Sequence, residues 1–318
     1  MPEKNIIVGN AAGAFSTFLK FLAWRVASDI EYNNLNVQYH WINKTDFGGC
    51  GFIADYHRSY GKHALIDYSF QRKDLIKHLF NIENKDLTQT YDEYLECYPD
   101  RAIDLLNISP ASVLFYRGGG YLVEQYYKEE FLSKIRNDYN CAWKFFELSD
   151  YMKERLEKES EIIKNKKVLT VMVRCSAHYI DLKTKTDFKS NVDLKNKFRN
   201  SSLEEVKYKF EHGKYDNILL LTQVKEVIDE YKKTFGDKCL IPINREVFED
   251  EDWELGGRMP MTDQVYEKEV EDVIIDVILA SKTSHIISGP SNMFLGALSM
   301  NPDISFDLFE SLSNVHGA

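Results

Sequence analysis

The chain has 318 residues, 44% of them hydrophobic and 13% aromatic, with 40 Lys and Arg set against 50 Asp and Glu for a formal charge of −10. That composition excludes a disordered or collagen-like chain, and the acidic balance excludes a nucleic-acid binder, which needs clustered surplus cations. At roughly 150 residues per domain, the length predicts two domains, each able to bury a core of its own.

The N-terminal segment reads as strand, small-residue loop and helix. Ile6 to Val8 is apolar, Gly9 to Ala14 is a turn of small residues, and Phe18, Leu19, Leu22, Ala23 and Val26 recur at helical spacing over 15–30. Asn36 to Ile42 then alternates like a second strand. Such a βαβ opening sets backbone N–H groups at a helix N-terminus, where a phosphate or hydroxyl ligand is accepted. Asn10 and Gly13 in that turn are candidate ligand contacts, although the loop is neither GxGxxG nor a P-loop. The start carries no signal-peptide apolar region and no run of about 18 apolar residues follows, so a soluble, cytoplasmic chain is expected. The 5 cysteines never form a CxxC pair, which predicts neither a disulfide framework nor a zinc site and favours a reducing compartment.

Residues 48 to 165 hold glycine clusters at Gly48-Gly49-Cys50-Gly51 and Gly118-Gly119-Gly120, with helical stretches at Lys73–Phe80 and Tyr127–Ile135. The glycines either let an acceptor approach the backbone or make ordinary turns. Asp55 and His57, in Ala54-Asp55-Tyr56-His57, are titratable candidates for an acceptor side. Residues 151 to 167 form a mixed-charge helix, solvated or domain-linking. The domain boundary is expected near 165, and a tail from 303 to 318 is expected to pack back on the domains as a helix carrying Phe306, Leu308 and Phe309.

The second half alternates strands and helices. Val168–Val173, Asn217–Thr222, Cys239–Ile241 and His285–Ile287 read as strands, the apolar runs being those of a parallel sheet buried on both faces. Helices are predicted over Leu203–Phe210, Val224–Phe235 with Gly236 as the stop, Val265–Ala280 and Met293–Met300. This is a Rossmann-like α/β domain over 166–302.

Two loops following buried strands suit an anionic ligand. The first is Val173-Arg174-Cys175-Ser176-Ala177-His178, with Arg174 at the strand end, where a guanidinium can grip a diphosphate through paired hydrogen bonds. The second, Ser288-Gly289-Pro290-Ser291-Asn292, offers hydroxyls, an amide and backbone N–H groups at a helix N-terminus. The alternative is structural: Arg174 pairs with a carboxylate and Ser291 caps a helix. Asp250-Glu251-Asp252 is a formal Asp-x-Asp, but it lacks the strand context of a metal motif and reads as a solvated acidic loop.

Together these segments resemble the fucosyltransferase-like superfamily of α1,2-, α1,6- and protein O-fucosyltransferases. Val171-Met172-Val173-Arg174-Cys175-Ser176 is similar to the family's strand-end His-x-Arg motif. Asn217–Thr222 with the helix to Phe235-Gly236 is similar to its strand, Thr-Asp, helix unit. Val270 to Pro302, with Asp276, Ser281-Lys282 and Ser288-Gly289-Pro290-Ser291-Asn292, is similar to its helix, strand, Ser-rich turn and helix ending in Asn-Pro. The resemblance implies a GT-B fold of two facing Rossmann-like domains, acceptor on 1–165 and donor on 166–302. It implies an inverting, metal-independent transferase using a nucleoside-diphosphate sugar, GDP-fucose foremost, on a glycan acceptor, with no cofactor.

Carried over by residue, the resemblance makes Arg174 the diphosphate ligand, with Ser176, Ser288, Gly289, Ser291 and Asn292 beside it and Asp276 holding the donor base. The general base that inverting transfer needs is a carboxylate or imidazole, for which His178, Asp181, Asp55 and His57 are the nearby candidates, each with a surface or structural placement as the alternative; Asp181 lies about where some relatives carry their proposed base. The sequence departs from the pattern at Met172 in place of His, Gln223 in place of Asp, and Cys175. Another donor such as a UDP-sugar, or a non-catalytic sugar-nucleotide or glycan-binding protein, therefore stays open, whereas a nicotinamide enzyme is disfavoured by the missing GxGxxG.

Overall fold

A computed structural model describes residues 4–8, 35–39, 132–143, 147–173, 180–181, 186–187, 192–243, 245, 247, 249, 263–289 and 291–309. The chain forms two compact units. One comprises Met1–Gly120, Asn137–Arg155 and Pro260–Val273, the other Tyr121–Arg136, Leu156–Met259 and Ile274–Ala318.

In the first unit, β1 (Lys4–Val8) and β2 (Leu35–Tyr39) pair in parallel, with Ile6 opposite Val37. Parallel neighbours require a crossover connection, as the strand–helix–strand reading of this segment expects. The predicted helix over 15–30 lies outside the described residues, as do the glycine clusters and the stretch Lys73–Phe80. Further along, a π-helical turn at Lys134–Tyr139 runs into α1 (Asn140–Trp143). The mixed-charge segment forms α2 (Asp150–Ser160), which the first unit includes as far as Arg155; its last residues and the 3-10 turn at Glu161–Ile163 belong to the second unit.

The second unit is built on β3 (Val168–Met172), a small hairpin of β4 (Ile180–Asp181) and β5 (Thr186–Asp187), and α3 (Val192–Gly213). Then come β6 (Asn217–Leu221), α4 (Lys225–Phe235), β7 (Cys239–Leu240) and α5 (Asp263–Ser281), of which the residues from Ile274 on belong to this unit and the earlier ones to the first. The chain continues through β8 (His285–Ser288), α6 (Asn292–Met300) and β9 (Ser305–Leu308). Five strands form one parallel sheet in the order β7-β6-β3-β8-β9. Two strands follow β3 outward on one side and the next two on the other, so the chain reverses direction across the sheet between β3 and β8.

The apolar runs become strands for a plain reason: every residue of β3 is buried, and so are Ile218 to Leu221 and Ile286 to Ile287. Val206, Ile228, Ile275, Val277, Phe294, Leu295 and Leu298 supply the buried faces of the helices. Each such side chain contributes roughly 1.5–3 kcal/mol of apolar burial. The one polar residue of β3, Thr170, meets Thr283 Oγ1 at 2.7 Å, and Thr283 Oγ1 donates to the Ala280 carbonyl at 2.8 Å. Thr170 is therefore the donor of the pair, and both buried hydroxyls are satisfied. Gly236 ends α4 at a φ of 55°, a conformation that favours glycine, with its N–H donated to the Lys232 carbonyl.

The tail departs from expectation. Residues 305–308 are not helical; they are β9, parallel to β8 with His285 opposite Ser305 and Ser288 opposite Leu308. The physical reason is in Ser305-Phe306-Asp307-Leu308, whose strict polar/apolar alternation has the period of a strand. Pairing with β8 also satisfies backbone groups that a short isolated helix would leave open at its ends. Residues 310–318 lie outside the described residues.

Candidate functional site

Open parallel sheets collect ligands beyond the carboxyl ends of their strands, at the point where the strand order reverses. Here that point lies between β3 and β8, where Met172 stands opposite Ser288. The Val173 N–H donates to the Leu221 carbonyl at 3.3 Å, tying the end of β3 to β6 as well. The two loops singled out in the sequence therefore leave the sheet from neighbouring strands at the same edge. Arg174 follows Val173 directly in the chain. Arg174, Ser176 and His178 lie outside the described residues, as do Asn10, Gly13, Asp55 and His57. Asp181 sits on β4, opposite Thr186 of β5.

The loop after β8 is built tightly. Ser288 and Ser291 are buried. The Ser288 hydroxyl donates to the Gly289 carbonyl at 2.7 Å, while the Ser288 carbonyl accepts the Phe309 N–H at 3.1 Å. Ser291 has extended backbone angles and is the N-cap of α6: its Oγ accepts the Phe294 N–H at 3.1 Å and its carbonyl accepts the Leu295 N–H at 3.1 Å. Asn292 is the first residue of α6. A nine-residue helix thus begins at the switch point, its first turn carrying N–H groups without intrahelical acceptors and the positive end of its dipole. An anion is the ligand such an edge favours. In the second motif, Thr222 Oγ1 accepts the Val224 N–H at 3.2 Å and so shapes the entry to α4.

Asp276, on α5, is buried and ion-paired. Arg245 Nε and Nη2 both donate to Asp276 Oδ1, at 2.9 and 2.6 Å. The same guanidinium reaches Glu159 of α2, with Nη1 to Oε1 at 3.2 Å and Nη2 to Oε2 at 2.7 Å, and Nη1 also donates to the Ile243 carbonyl at 3.2 Å. Only 3% of the Arg245 side chain is exposed. Sequence reading missed Arg245 and Glu159: their separations from each other and from Asp276 leave no local pattern. A comparable cluster lies in the first unit, where Arg155 of α2 donates to Glu271 Oε2 at 2.6 Å and to Asp272 Oδ1. Tyr151 donates to the same Glu271 oxygen at 3.0 Å, and burial followed by that carboxylate raises its phenol pKa.

At the opposite edge of the sheet, His285 Nδ1 lies 2.6 Å from Ser305 Oγ and Nε2 lies 3.0 Å from Asp307 Oδ2. Lys209 of α3 also pairs with Asp307. The His285 hydrogen bond, opposed by burial and helped by Lys209, brings the Asp307 carboxyl down to about 2. Burial pushes the half-buried Cys239 thiol up to about 11, so it is a packing residue at neutral pH. No helix among the described residues is long and apolar enough to cross a membrane.

Comparison of the whole structure with solved ones identifies the architecture. NodZ alpha-1,6-fucosyltransferase, co-crystallized with GDP, matches with a TM-score of 0.50 over 96% of both chains, at 13% sequence identity. The chain has the fucosyltransferase fold. That fold is the α/β, GT-B class which the sequence motifs led us to expect. Fucosyltransferase NodZ from Bradyrhizobium matches at 0.49, with 12% identity and 95% of each chain covered. POFUT1 in complex with GDP-fucose matches at 0.46, with 12% identity over 97% of this chain and 98% of that one. No protein-family model and no curated protein matches the sequence.

Proposed function

We propose that the protein is a glycosyltransferase that moves a sugar, fucose from GDP-fucose, onto a hydroxyl of a glycan acceptor. The observation that carries this reading is the juxtaposition of the β3 and β8 loops at the switch point of a sheet with the fucosyltransferase fold. Supporting it, the NodZ structure of that fold was co-crystallized with GDP. The donor diphosphate sits at this edge, held by Arg174 and Ser176 and by the Ser288-Gly289-Pro290-Ser291-Asn292 turn, with Asp276 holding the base.

Transfer proceeds with inversion and without a metal. The acceptor oxygen attacks the anomeric carbon on the face opposite the diphosphate, the carbon–oxygen bond to the β-phosphate breaks, and GDP departs. Arg174 and the α6 N-terminus stabilise the charge that grows on the leaving group. Asp181 takes the proton of the acceptor hydroxyl; His178, Asp55 and His57 are the other candidates. In this reading residues 1–165 carry the acceptor side, 166–302 the donor side, and the protein draws on cytoplasmic sugar nucleotide.

The test is to incubate the protein with GDP-fucose and measure GDP release with and without a panel of fucosylatable glycans. Release that Arg174→Ala lowers at least about 100-fold supports the assignment, because a lost charge-stabilising donor at a leaving group costs that order in rate. Release from UDP-sugars in place of GDP-fucose would keep the transferase and discard fucose, a reading that Met172 at the His position favours. Nucleotide binding with no turnover on any acceptor would leave a sugar-nucleotide-binding protein.

A further inference from the structure

We propose that Ser305 is a nucleophilic serine, activated by His285 as general base with Asp307 as its orienting partner, and that it accepts acyl groups from small activated carboxylic esters. His285 and Ser305 are the first residues of β8 and β9, at the amino end of the sheet and opposite the carboxyl edge assigned to the donor. The reactivity of Ser305 is therefore independent of whether the chain uses a sugar nucleotide.

Strand register makes the grouping, so no local sequence pattern announces it. β8 and β9 pair in parallel with His285 opposite Ser305, and Asp307 follows two residues on along the same face of β9. The imidazole bridges the two: Nδ1 lies 2.6 Å from Ser305 Oγ and Nε2 lies 3.0 Å from Asp307 Oδ2. Ser305 is exposed, which leaves it open to a reactant, while His285 is buried.

Charge sets the direction of the relay. The His285 hydrogen bond, with the Lys209 ammonium, holds the Asp307 carboxyl at about 2 against its burial. Asp307 is thus an ionised acceptor at neutral pH, and a ring nitrogen facing it has to carry a proton. In the neutral ring that nitrogen is Nε2, which leaves the Nδ1 lone pair toward Ser305 Oγ. The Ser305 hydroxyl has one proton and two acceptors in reach, Nδ1 at 2.6 Å and the Ser284 carbonyl at 3.2 Å. With the ring neutral the proton lies in the shorter bond, since two lone pairs would otherwise face each other there. With the ring protonated, Nδ1–H donates to Ser305 Oγ, the hydroxyl turns to Ser284, and the nucleophile is idle. Lys209 of α3 and Tyr215 after it also face this group; the Tyr215 ring stands 6.3 Å from the imidazole, with Lys167 Nζ 5.0 Å from its own centroid. A hydroxyl bonded to a base that a third group orients is the arrangement that activates a serine. In the acylation step Oγ adds to the ester carbonyl carbon and the carbon–oxygen bond to the leaving alcohol breaks. The Ser305 proton passes to Nδ1 and from there to the leaving oxygen or to water.

The experiment treats the full chain with p-nitrophenyl acetate and follows acetylation residue by residue by peptide fragmentation, with the exposed Ser284 as internal reference. Ser305 is expected to react at least about 100-fold faster than Ser284, the lower end of what a positioned general base contributes. His285→Gln is expected to bring Ser305 to within about threefold of Ser284, since the base is gone. Asp307→Asn, which no longer fixes the tautomer, is expected to slow Ser305 at least about tenfold. In the parent the rate is expected to rise with pH through one ionisation and then level off, a step that a merely structural hydrogen bond does not produce and that His285→Gln lacks. Melting curves establish that each variant is folded. Should His285→Gln not fold, Asp307→Asn carries the test, its side chain being 43% exposed. A Ser305 that reacts no faster than about threefold over Ser284, or a folded His285→Gln or Asp307→Asn chain that reacts within about twofold of the parent, overturns the proposal.

Discussion

The second unit holds two charged clusters of opposite character. Around Arg245, side chains from α2, the segment after β7 and α5 meet with 6%, 3% and 12% of their side-chain surface exposed. Around His285, the partners come from β8, β9 and α3, and Asp307 and Lys209 keep 43% and 35% of theirs. The first cluster is assembled from distant stretches of chain and is largely buried. The second follows from register: in parallel strands His285 faces Ser305, and Asp307 lies two residues on along the same face. The difference teaches where a charge is a fixed part of the interior and where it is a surface pair that solvent can replace. A buried partner left alone has nothing to compensate it, whereas an exposed one is rehydrated at little cost.

The sharpest way to break this comparison is to remove Arg245. Arg245→Met is expected to cost about 3–5 kcal/mol in urea unfolding, with little dependence on salt, because it removes the buried cation that two buried carboxylates share. A loss below about 1 kcal/mol would put the cluster in the same class as the surface pair. Arg155→Met comes next. Its guanidinium is 16% exposed and its partners Glu271 and Asp272 are buried, so a loss of about 2–3 kcal/mol is expected. Ser291→Ala removes the cap of α6 and is expected to cost about 1 kcal/mol, read as a lower urea midpoint at unchanged slope.

The smallest effect belongs to the other cluster and is the one that pH tunes. Asp307 has its folded pKa held at about 2, below its ordinary value of 3.8. A depressed carboxyl pKa gives stability that is fully present above the unfolded value and is lost as pH falls through the folded one. The stability gap between the parent chain and Asp307→Asn is therefore expected to stay below about 1 kcal/mol above pH 4, given the group's exposure, and to close toward pH 2. Melting curves across that range check it. A gap that widened on acidification would contradict the assignment of His285 and Lys209 as its partners.

Much of the second unit was legible in its residues. Val168–Met172, Asn217–Leu221 and His285–Ser288 are apolar runs that only a sheet covered on both faces can bury, and the burial patterns agree. Gly236 and Ser291 marked a helix end and a helix start through backbone chemistry that acts within a few residues. The tail was misjudged for a reason also local: Phe306, Leu308 and Phe309 suggest a helical face, while the alternation with Ser305 and Asp307 decides for a strand. The Arg245 cluster had no local signal at all. Its partners lie 86 and 31 residues away, and only the packing of α2 and α5 before their strands brings them together. Of the candidate site, the sequence marked the two loops, and the strand order supplied the reason they belong at one edge.

Under the proposed function, the carboxyl edge of the sheet between β3 and β8 binds a guanosine diphosphate through Arg174. Titration calorimetry of GDP and UDP against the parent chain and Arg174→Ala tests it most directly. We expect GDP binding, UDP weaker by about tenfold or more, and a loss of GDP affinity of at least about tenfold in Arg174→Ala, as for a charged hydrogen-bond partner of a phosphate. A parent chain that binds neither nucleotide, or an Arg174→Ala chain that binds GDP as tightly as the parent, would contradict it.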